Sequence, residues 1–100
     1  MNIQIQPNKI QKFVVVESED GIFVWGDPNM EYHKDIVEKM RGSGISILNV
    51  RGGGKLKMEQ GIIYVWGKST AYGEIPFKEV RQILKEKFPE CQIINKDPRE

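Results

Sequence analysis

The stretch KIQKFVVVESEDGIFVWG, from Lys9 to Gly26, contains two segments with the composition of β-strands. Its first part, Lys9–Glu17, is rich in β-branched residues, and its last part, Gly21–Gly26, is apolar and aromatic. Both compositions favour β-strands. The polar cluster SEDG lies between them, and an Asp-Gly pair flanked by such runs is typical of a hairpin. The stretch therefore predicts two antiparallel strands joined by a turn at Asp20-Gly21.

A helix and a third strand are predicted to follow this hairpin. Asp27-Pro28 is a helix-start signal, because aspartate can accept from free N–H groups and proline suits the first helical position. The helix is expected to run from Pro28 to about Arg41 and to stop at the glycines of 42–44. The segment ISILNV, which ends at Val50, then predicts the third strand.

The second half of the chain repeats this plan. RGGGKLKMEQ leads into the apolar run GIIYVWG, 61–67, and a loop follows. PFKEVRQILKEKF, 76–88, is apolar on one side only, which predicts an amphipathic helix, and CQIIN, 91–95, predicts a last strand. Trp25 and Trp66 occupy matching positions in the two halves. The chain is therefore either an internal pseudo-repeat of two strand–turn–strand–helix–strand units, or two strands that are alike by coincidence.

These elements predict a single α+β domain that spans residues 1–100, with two helices packed on a mixed or antiparallel sheet of about six strands. The last residues, 95–100, are expected to be a polar tail that frays. Hydrophobic residues make up 39% of the 100 residues, charged residues 29%, and the formal net charge is +1. This balance is ordinary for a soluble globular domain and argues against a nucleic-acid-binding protein.

Cysteine and histidine are scarce in this chain. Cys91 is the only cysteine and His33 the only histidine, so an intrachain disulfide is excluded and a metal centre is not expected. No apolar run suggests a signal peptide or approaches the roughly 20 residues of a membrane span. We therefore expect a cytoplasmic protein, monomeric by default, that needs no cofactor and binds neither nucleic acid nor membranes.

His33 is the first candidate for chemistry. Helical spacing places it within an apolar stripe with Met30, Val37 and Met40, so it is either a half-buried, inert histidine or a functional one. Burial would lower its pKa and keep the imidazole neutral, as a nucleophile or general base requires. A helix start favours anions, and a start nearer Glu31 would leave more N–H groups free there.

Two glycine-containing segments are further candidates. The run RGGGK, Arg51–Lys55, either lets the backbone approach a ligand or another strand, or forms a bulge. GKST, 67–70, matches the end of a P-loop, but the first glycine of that pattern falls on Ile62, within a predicted strand, so nucleotide binding is rejected. The loop KSTAYG is either an ordinary connection or an oxyanion site with hydroxyl and N–H donors.

Several of these segments together resemble a known family. KFVVV, EYHKDI, RGGGKL, IYVWG followed by STAYG, and IPFKEVRQILKEKFPECQI occur in this order and span about Lys12 to Ile93. They are similar to the small phosphohistidine phosphatases, also called the Janus/Ocnus family. The resemblance implies that His33 is catalytic and that no metal takes part. The positions that it implies for substrate binding are Lys12, Tyr32, Lys34, Gly53, Lys55, Ser69, Thr70 and Ala71. Lys55 stands where the family commonly has arginine, which keeps the charge but loses the bidentate fork.

The implied reaction is hydrolysis of a P–N bond in phosphohistidine, or in phospholysine, with a phosphorylated protein or a small phosphoramidate as the substrate. Lys12 and the loop 69–71 would hold the phosphoryl oxygens. His33 would either attack phosphorus or activate water, and the sequence does not choose between these roles. The alternative is a non-catalytic module that binds phosphate or phosphoproteins in the same pocket.

Overall fold

The fold is a mixed β-sheet with one helix packed on each of its two faces. The structure is a computed structural model that describes residues 2–100. Its elements are β1 (Asn2–Gln4), β2 (Gln11–Ser18), β3 (Gly21–Asp27), α1 (His33–Gly42), β4 (Ile47–Glu59), β5 (Ile62–Trp66), α2 (Phe77–Lys87) and β6 (Gln92–Asn95). The strand order is β1-β3-β2-β4-β5-β6. The predicted α+β class, with about six strands and two helices, is confirmed.

The centre of the sheet is antiparallel and its two edges are parallel. β2 pairs antiparallel with β3 and β4, and β4 pairs antiparallel with β5. The outer pairs, β1 with β3 and β5 with β6, are parallel. The predicted hairpin is present, but Ser18 pairs with Gly21, so the turn is formed by Glu19 and Asp20. The Ser18 hydroxyl closes it by donating to the Gly21 carbonyl and accepting from the Asp20 N–H.

β2 is buried on both faces, which explains its uninterrupted apolar run. Phe13 and Val15 belong to the core under α2, whose apolar residues there are Val80, Ile83 and Leu84. Val14 and Val16 belong to a smaller core under α1, together with Ile36, Val37 and Met40. Successive strand residues point to opposite faces, so a strand covered on both sides has no polar alternation. Burial of each such side chain stabilises the fold by about 1.5–3 kcal/mol.

The strand β4 contains both the end of the ISILNV segment and the glycine run that follows it. The third strand, which the segment before Val50 is predicted to begin, continues through the glycine run to Glu59. Val16 pairs with Val50 and Val15 with Gly52, so Arg51 is the extra residue of a β-bulge. The segment Arg51–Lys55 thus contains a bulge at Arg51, and Gly53 and Gly54 allow the neighbouring strands to approach closely.

The helix α1 begins at His33, so the predicted start at Pro28 is wrong. Asp27 ends β3, and its carboxylate accepts from the Asn29 N–H at 2.9 Å and pairs with Lys39 Nζ at 2.8 Å. The Asp-Pro signal therefore makes a turn, because the aspartate caps the loop rather than a helix. Tyr32, in an extended conformation, is the residue that precedes the first helical turn.

The pseudo-repeat is not shown by the topology. In the first half, the strand after the helix, β4, pairs antiparallel with β2. In the second half, the strand after the helix, β6, pairs in parallel with β5. The polar tail predicted to fray is held against β5: the Lys96 N–H donates to the Val65 carbonyl, and the Arg99 guanidinium lies 5.8 Å from the centre of the Trp66 ring. Within residues 2–100, no helix is long and apolar enough to cross a bilayer.

Candidate active site

His33 is held at the first position of α1 by a glycine beneath its ring. Gly53 pairs with Val14, so both residues face α1, and a Cβ atom at Gly53 would lie 2.9 Å from His33 Cδ2. The missing side chain therefore makes the room that the imidazole fills. His33 is 6% exposed, and its Nε2 lies 2.9 Å from the Gly54 carbonyl oxygen. The histidine is thus part of the core rim and fixed in orientation.

The Gly54 contact assigns the tautomer of His33. A carbonyl oxygen can only accept, so Nε2 carries the proton and the lone pair of the neutral ring is on Nδ1. Burial lowers the pKa of His33 below its usual value of 6.5. The hydrogen bond to Gly54 raises this pKa in part, and the nearby ammonium groups of Lys12 and Lys55 lower it further. Near neutral pH the ring is therefore a neutral base.

Lysine side chains surround this base. Lys12 on β2 and Lys55 on β4 are cross-strand partners, so their side chains leave the same face of the sheet, the face covered by α1. Lys12 Nζ donates to the Glu31 carbonyl just before α1. The centre of the exposed Tyr32 ring lies 5.8 Å from Lys12 Nζ and 5.5 Å from Lys34 Nζ. Both distances are within the range of cation–π attraction, which holds the lysines beside the ring.

A closed loop forms the opposite wall. The Gly73 carbonyl accepts from the N–H groups of Ser69 and Gly53, at 3.2 and 3.1 Å, and so fastens the loop to β4. The buried Ser69 hydroxyl accepts from the Tyr72 N–H at 3.0 Å. These bonds leave the N–H groups of Thr70 and Ala71 without an acceptor among the described residues. The loop therefore presents two free backbone donors in a fixed turn.

These elements enclose one cavity of about 500 Å³. Its lining residues are Lys12, Tyr32, His33, Lys34, Lys55, Lys68, Thr70 and Ala71. Four of them are lysines and none of them carries a carboxylate, so the cavity has a strongly positive potential in a chain that is nearly neutral overall. Cationic groups and free N–H donors around a neutral imidazole are suited to an anionic substrate.

The helix start adds a further donor. The Lys34 N–H is at the second helical position, where the first turn has no intrahelical acceptor, and no other acceptor for it is present in residues 2–100. The positive end of the helix dipole also favours an anion at this place. The later start of α1 is thus what leaves this N–H group free.

A metal centre has no support in these residues. Within residues 2–100 no group of three or more histidine, cysteine, aspartate and glutamate side chains is close enough to hold a metal ion. Four of the residues that line the cavity are lysines, whose ammonium groups repel cations.

Two comparisons with known proteins identify the family. The family model of the Janus/Ocnus family (Ocnus) matches residues 1–92. The chain belongs to the Janus/Ocnus family. It is also similar to the sex-regulated protein janus-A of Drosophila pseudoobscura pseudoobscura, with 27% identity over 111 residues that cover 95% of this chain and 74% of that protein. The predicted family is confirmed.

In this Janus/Ocnus protein, most of the predicted site residues come together. The predicted residues that line the cavity are Lys12, Tyr32, His33, Lys34, Lys55, Thr70 and Ala71. Ser69 lies behind them and closes the loop, and Gly53 lies under the histidine ring. Lys68 lines the cavity and was not singled out from the sequence. Its position directly after the strand that ends in VWG is the signal that could have found it.

Proposed function

We propose that this Janus/Ocnus protein is a metal-independent phosphatase that hydrolyses the P–N bond of phosphohistidine in proteins, with phospholysine as the second candidate substrate. The observation that carries the proposal is the neutral His33 ring, whose Nδ1 lone pair is free while Nε2 is bound to the Gly54 carbonyl. This ring lines a cavity with four lysines and two free N–H donors. Together they suit phosphoryl transfer, which depends on positioning and charge stabilisation.

Each group has a task in the proposed reaction. Lys12, Lys55 and the N–H groups of Thr70 and Ala71 hold the three phosphoryl oxygens and stabilise their charge in the transition state. The free Lys34 N–H adds a donor at the helix start. Tyr32 positions the ammonium groups of Lys12 and Lys34 through its ring.

His33 has two balanced routes. In the first, the Nδ1 lone pair attacks phosphorus, the P–N bond to the substrate breaks, and the leaving nitrogen takes a proton from solvent. Water then attacks the phosphoryl group on Nδ1, and inorganic phosphate leaves as the nitrogen regains its lone pair. In the second, Nδ1 takes a proton from a water molecule while the water oxygen attacks phosphorus, and the protonated ring returns that proton to the leaving nitrogen.

The test is phosphate release from a phosphohistidine peptide and from phosphoramidate, with EDTA present, for wild type and His33→Ala. We expect turnover by wild type and a loss of about 10²–10⁴-fold in His33→Ala. Thermal unfolding of both proteins controls for the fold. Glu86→Ala, an exposed change on α2 away from the cavity, is the matched control and should keep full turnover.

The outcomes separate the alternatives. Full activity in folded His33→Ala would refute the proposal. No phosphate release by folded wild type, together with binding of the phosphopeptide, would replace it with the non-catalytic binding module. A phosphoryl group trapped on His33 by a rapid alkaline quench would favour the nucleophilic route over the general-base route. Because His33 is the only histidine, any phosphohistidine found in the protein is assigned without mapping.

A further inference from the structure

A second, smaller cavity adjoins the candidate active site. Its volume is about 180 Å³, and its lining residues are Ile10, Gln11, Lys12, Pro28, Met30 and Lys55. Lys12 and Lys55 also line the larger cavity that contains His33. The two lysines therefore form a shared wall, with the phosphoryl site on one side and the smaller cavity on the other.

Two of the polar side chains that line the smaller cavity, Gln11 and Lys12, already have hydrogen-bond partners. The Gln11 amide accepts from the Gln6 N–H and donates to the carbonyls of Gln6 and Lys9. The Lys12 ammonium donates to the Glu31 carbonyl and lies beside the ring of Tyr32, which lines only the larger cavity.

The smaller cavity also has an apolar part. The side chains of Ile10, Pro28 and Met30 form one part of its wall. The methylene stems of the two shared lysines form the other part, since long charged side chains expose apolar stems below their charged ends.

Two of the three large hydrophobic side chains that are exposed within residues 2–100 border these two cavities. The large hydrophobic side chains that are exposed within residues 2–100 are Ile10 at 38%, Tyr32 at 54% and Leu48 at 65%. Ile10 borders the smaller cavity and Tyr32 the larger one. Ile10 thus offers solvent-exposed apolar surface at the edge of the smaller cavity, beside the two lysines that it shares with the larger one.

The size of the smaller cavity limits what it can hold. Pockets for complete small-molecule ligands have volumes of about 300–1,000 Å³, so a cavity of about 180 Å³ suits a single side chain. Because the two cavities share Lys12 and Lys55, one molecule can place a phosphoryl group in the larger cavity and a side chain in the smaller one. A free phosphoramidate has no such group, whereas a polypeptide does.

We propose that the smaller cavity binds an apolar side chain that neighbours the phosphorylated residue of a polypeptide substrate. This inference rests on the proposed phosphatase function and names its substrate class: phosphorylated protein segments with an apolar residue beside the phosphorylated one. The phosphoryl group is held by the ammonium groups of Lys12 and Lys55, and the apolar neighbour packs against Ile10, Pro28 and Met30 on the other side of the same lysines.

The experiment compares matched phosphohistidine peptides that carry either leucine or serine on each side of the phosphorylated residue. We expect wild type to favour the leucine peptide in kcat/KM by roughly 10-fold on one of the two sides, as partial burial of one leucine side chain gives. Ile10→Ser should bring the leucine-to-serine ratio close to one. The ratio is internal to each variant, so a general loss of activity does not imitate this result.

Leu48→Ser is the matched control, because it makes a comparable change at an exposed hydrophobic residue that lines neither cavity. It should keep both the activity and the leucine preference of wild type. Equal leucine-to-serine ratios of kcat/KM in wild type and Ile10→Ser would overturn the inference. Turnover of phosphoramidate in the same experiment would still uphold the proposed function. Absence of phosphate release from every substrate, phosphoramidate included, would overturn the proposed function and this inference with it.

Discussion

The two faces of the central strands β2 and β4 are used in opposite ways. On the α2 face, side chains such as Phe13 and Leu56 lie in a closed hydrophobic core. On the α1 face, the same strands present Lys12, Gly53 and Lys55 where the core ends and the helix begins. Neighbouring residues of one strand therefore point to opposite faces, one into the closed core and the next toward the candidate site.

The starts of the two helices differ in their surroundings, and this difference decides which of them is suited to bind an anion. Both helices begin without a side-chain hydrogen-bonded cap. At the start of α2, Phe77 packs against the larger core and Glu79 pairs with Arg51. At the start of α1, a glycine lies under the first helical residue and lysines gather around it. The free N–H groups are common to both helices, and only the surroundings of α1 make them suited to an anion.

Among the substitutions that test the difference between the two faces, the largest effect is expected on the α2 face. Leu84→Ala removes a fully buried side chain from the larger core and should lower the free energy of unfolding by about 2–5 kcal/mol. It should leave kcat/KM nearly unchanged where the variant is folded, because no residue of α2 lines the cavity. Urea unfolding and steady-state kinetics at low temperature measure the two effects. A tenfold loss of kcat/KM in the folded variant would mean that the faces are not independent.

An alanine at Gly53 tests the room beneath His33. Its Cβ would lie 2.5 Å from the Phe13 carbonyl oxygen and 2.9 Å from His33 Cδ2, so strand or ring must move. Overpacking of this kind should cost about 1–3 kcal/mol of stability and displace the imidazole, with loss of activity. Chemical denaturation and the NMR shifts of His33 measure both effects.

Gly42→Ala is the matched control for that substitution. Gly42 is the last residue of α1, and nothing lies within 4 Å of a Cβ atom placed there. The same change should therefore stabilise the protein by about 0.4–1 kcal/mol and keep activity. If both alanines had the same sign, the close approach of Gly53 and His33 would not be what the structure indicates.

The charge of the α1 face is tested through the pKa of His33. Lys55→Met removes an ammonium group that disfavours the imidazolium, so the pKa of His33 should rise toward 6.5. Lys68→Met, in the same cavity, is the control, because Lys68 is not among the groups that lower this pKa. The ring protons of the only histidine report the titration by NMR without assignment. An unchanged pKa in Lys55→Met would contradict the electrostatic account.

A smaller effect is expected on the pH dependence of the free energy of unfolding. Since the pKa of His33 is lowered on folding, the unfolded chain binds the proton more readily between that lowered value and 6.5. Stability should therefore be lost as the pH falls from about 6.5 through the folded-state pKa, and His33→Gln should not show this loss. Asp27 also has a lowered pKa, which burial opposes and Lys39 produces, and its contribution is lost only below 3.8. Urea unfolding between about pH 7 and pH 5 isolates the histidine.

The parts of the fold that local sequence determines were predicted well. The hairpin and the amphipathic α2 depend on turn residues and on periodicity within a few positions. β1 was missed because its three residues, Asn2–Gln4, form a strand only through pairing with β3. Glycine is depleted in strands, so local composition does not predict that β4 continues through the glycine run, yet β2 pairs with all three glycines and the Gly73 carbonyl accepts from the Gly53 N–H.

The resemblance pointed to side chains and to backbone N–H donors of the candidate site, but two carbonyl groups of the site were not predicted. His33, Lys12 and Lys55 have side chains that mark them in the sequence. The Gly54 carbonyl that fixes the tautomer and the Glu31 carbonyl that accepts from Lys12 belong to groups that every residue has. Their roles follow from the register of β4 and the start of α1, which local patterns do not determine.

The pairing of β2 with β4 has a consequence for the order of folding. The β2–β3 and β4–β5 hairpins join neighbouring segments and can close quickly, whereas β3 and α1 separate β2 from β4 along the chain. Lys12 and Lys55 become neighbours only through this pairing, and Gly53 reaches His33 only with it. We therefore expect phosphate binding to appear last during refolding, after most helical structure has formed. The rate at which binding recovers should then equal the rate at which β2 pairs with β4.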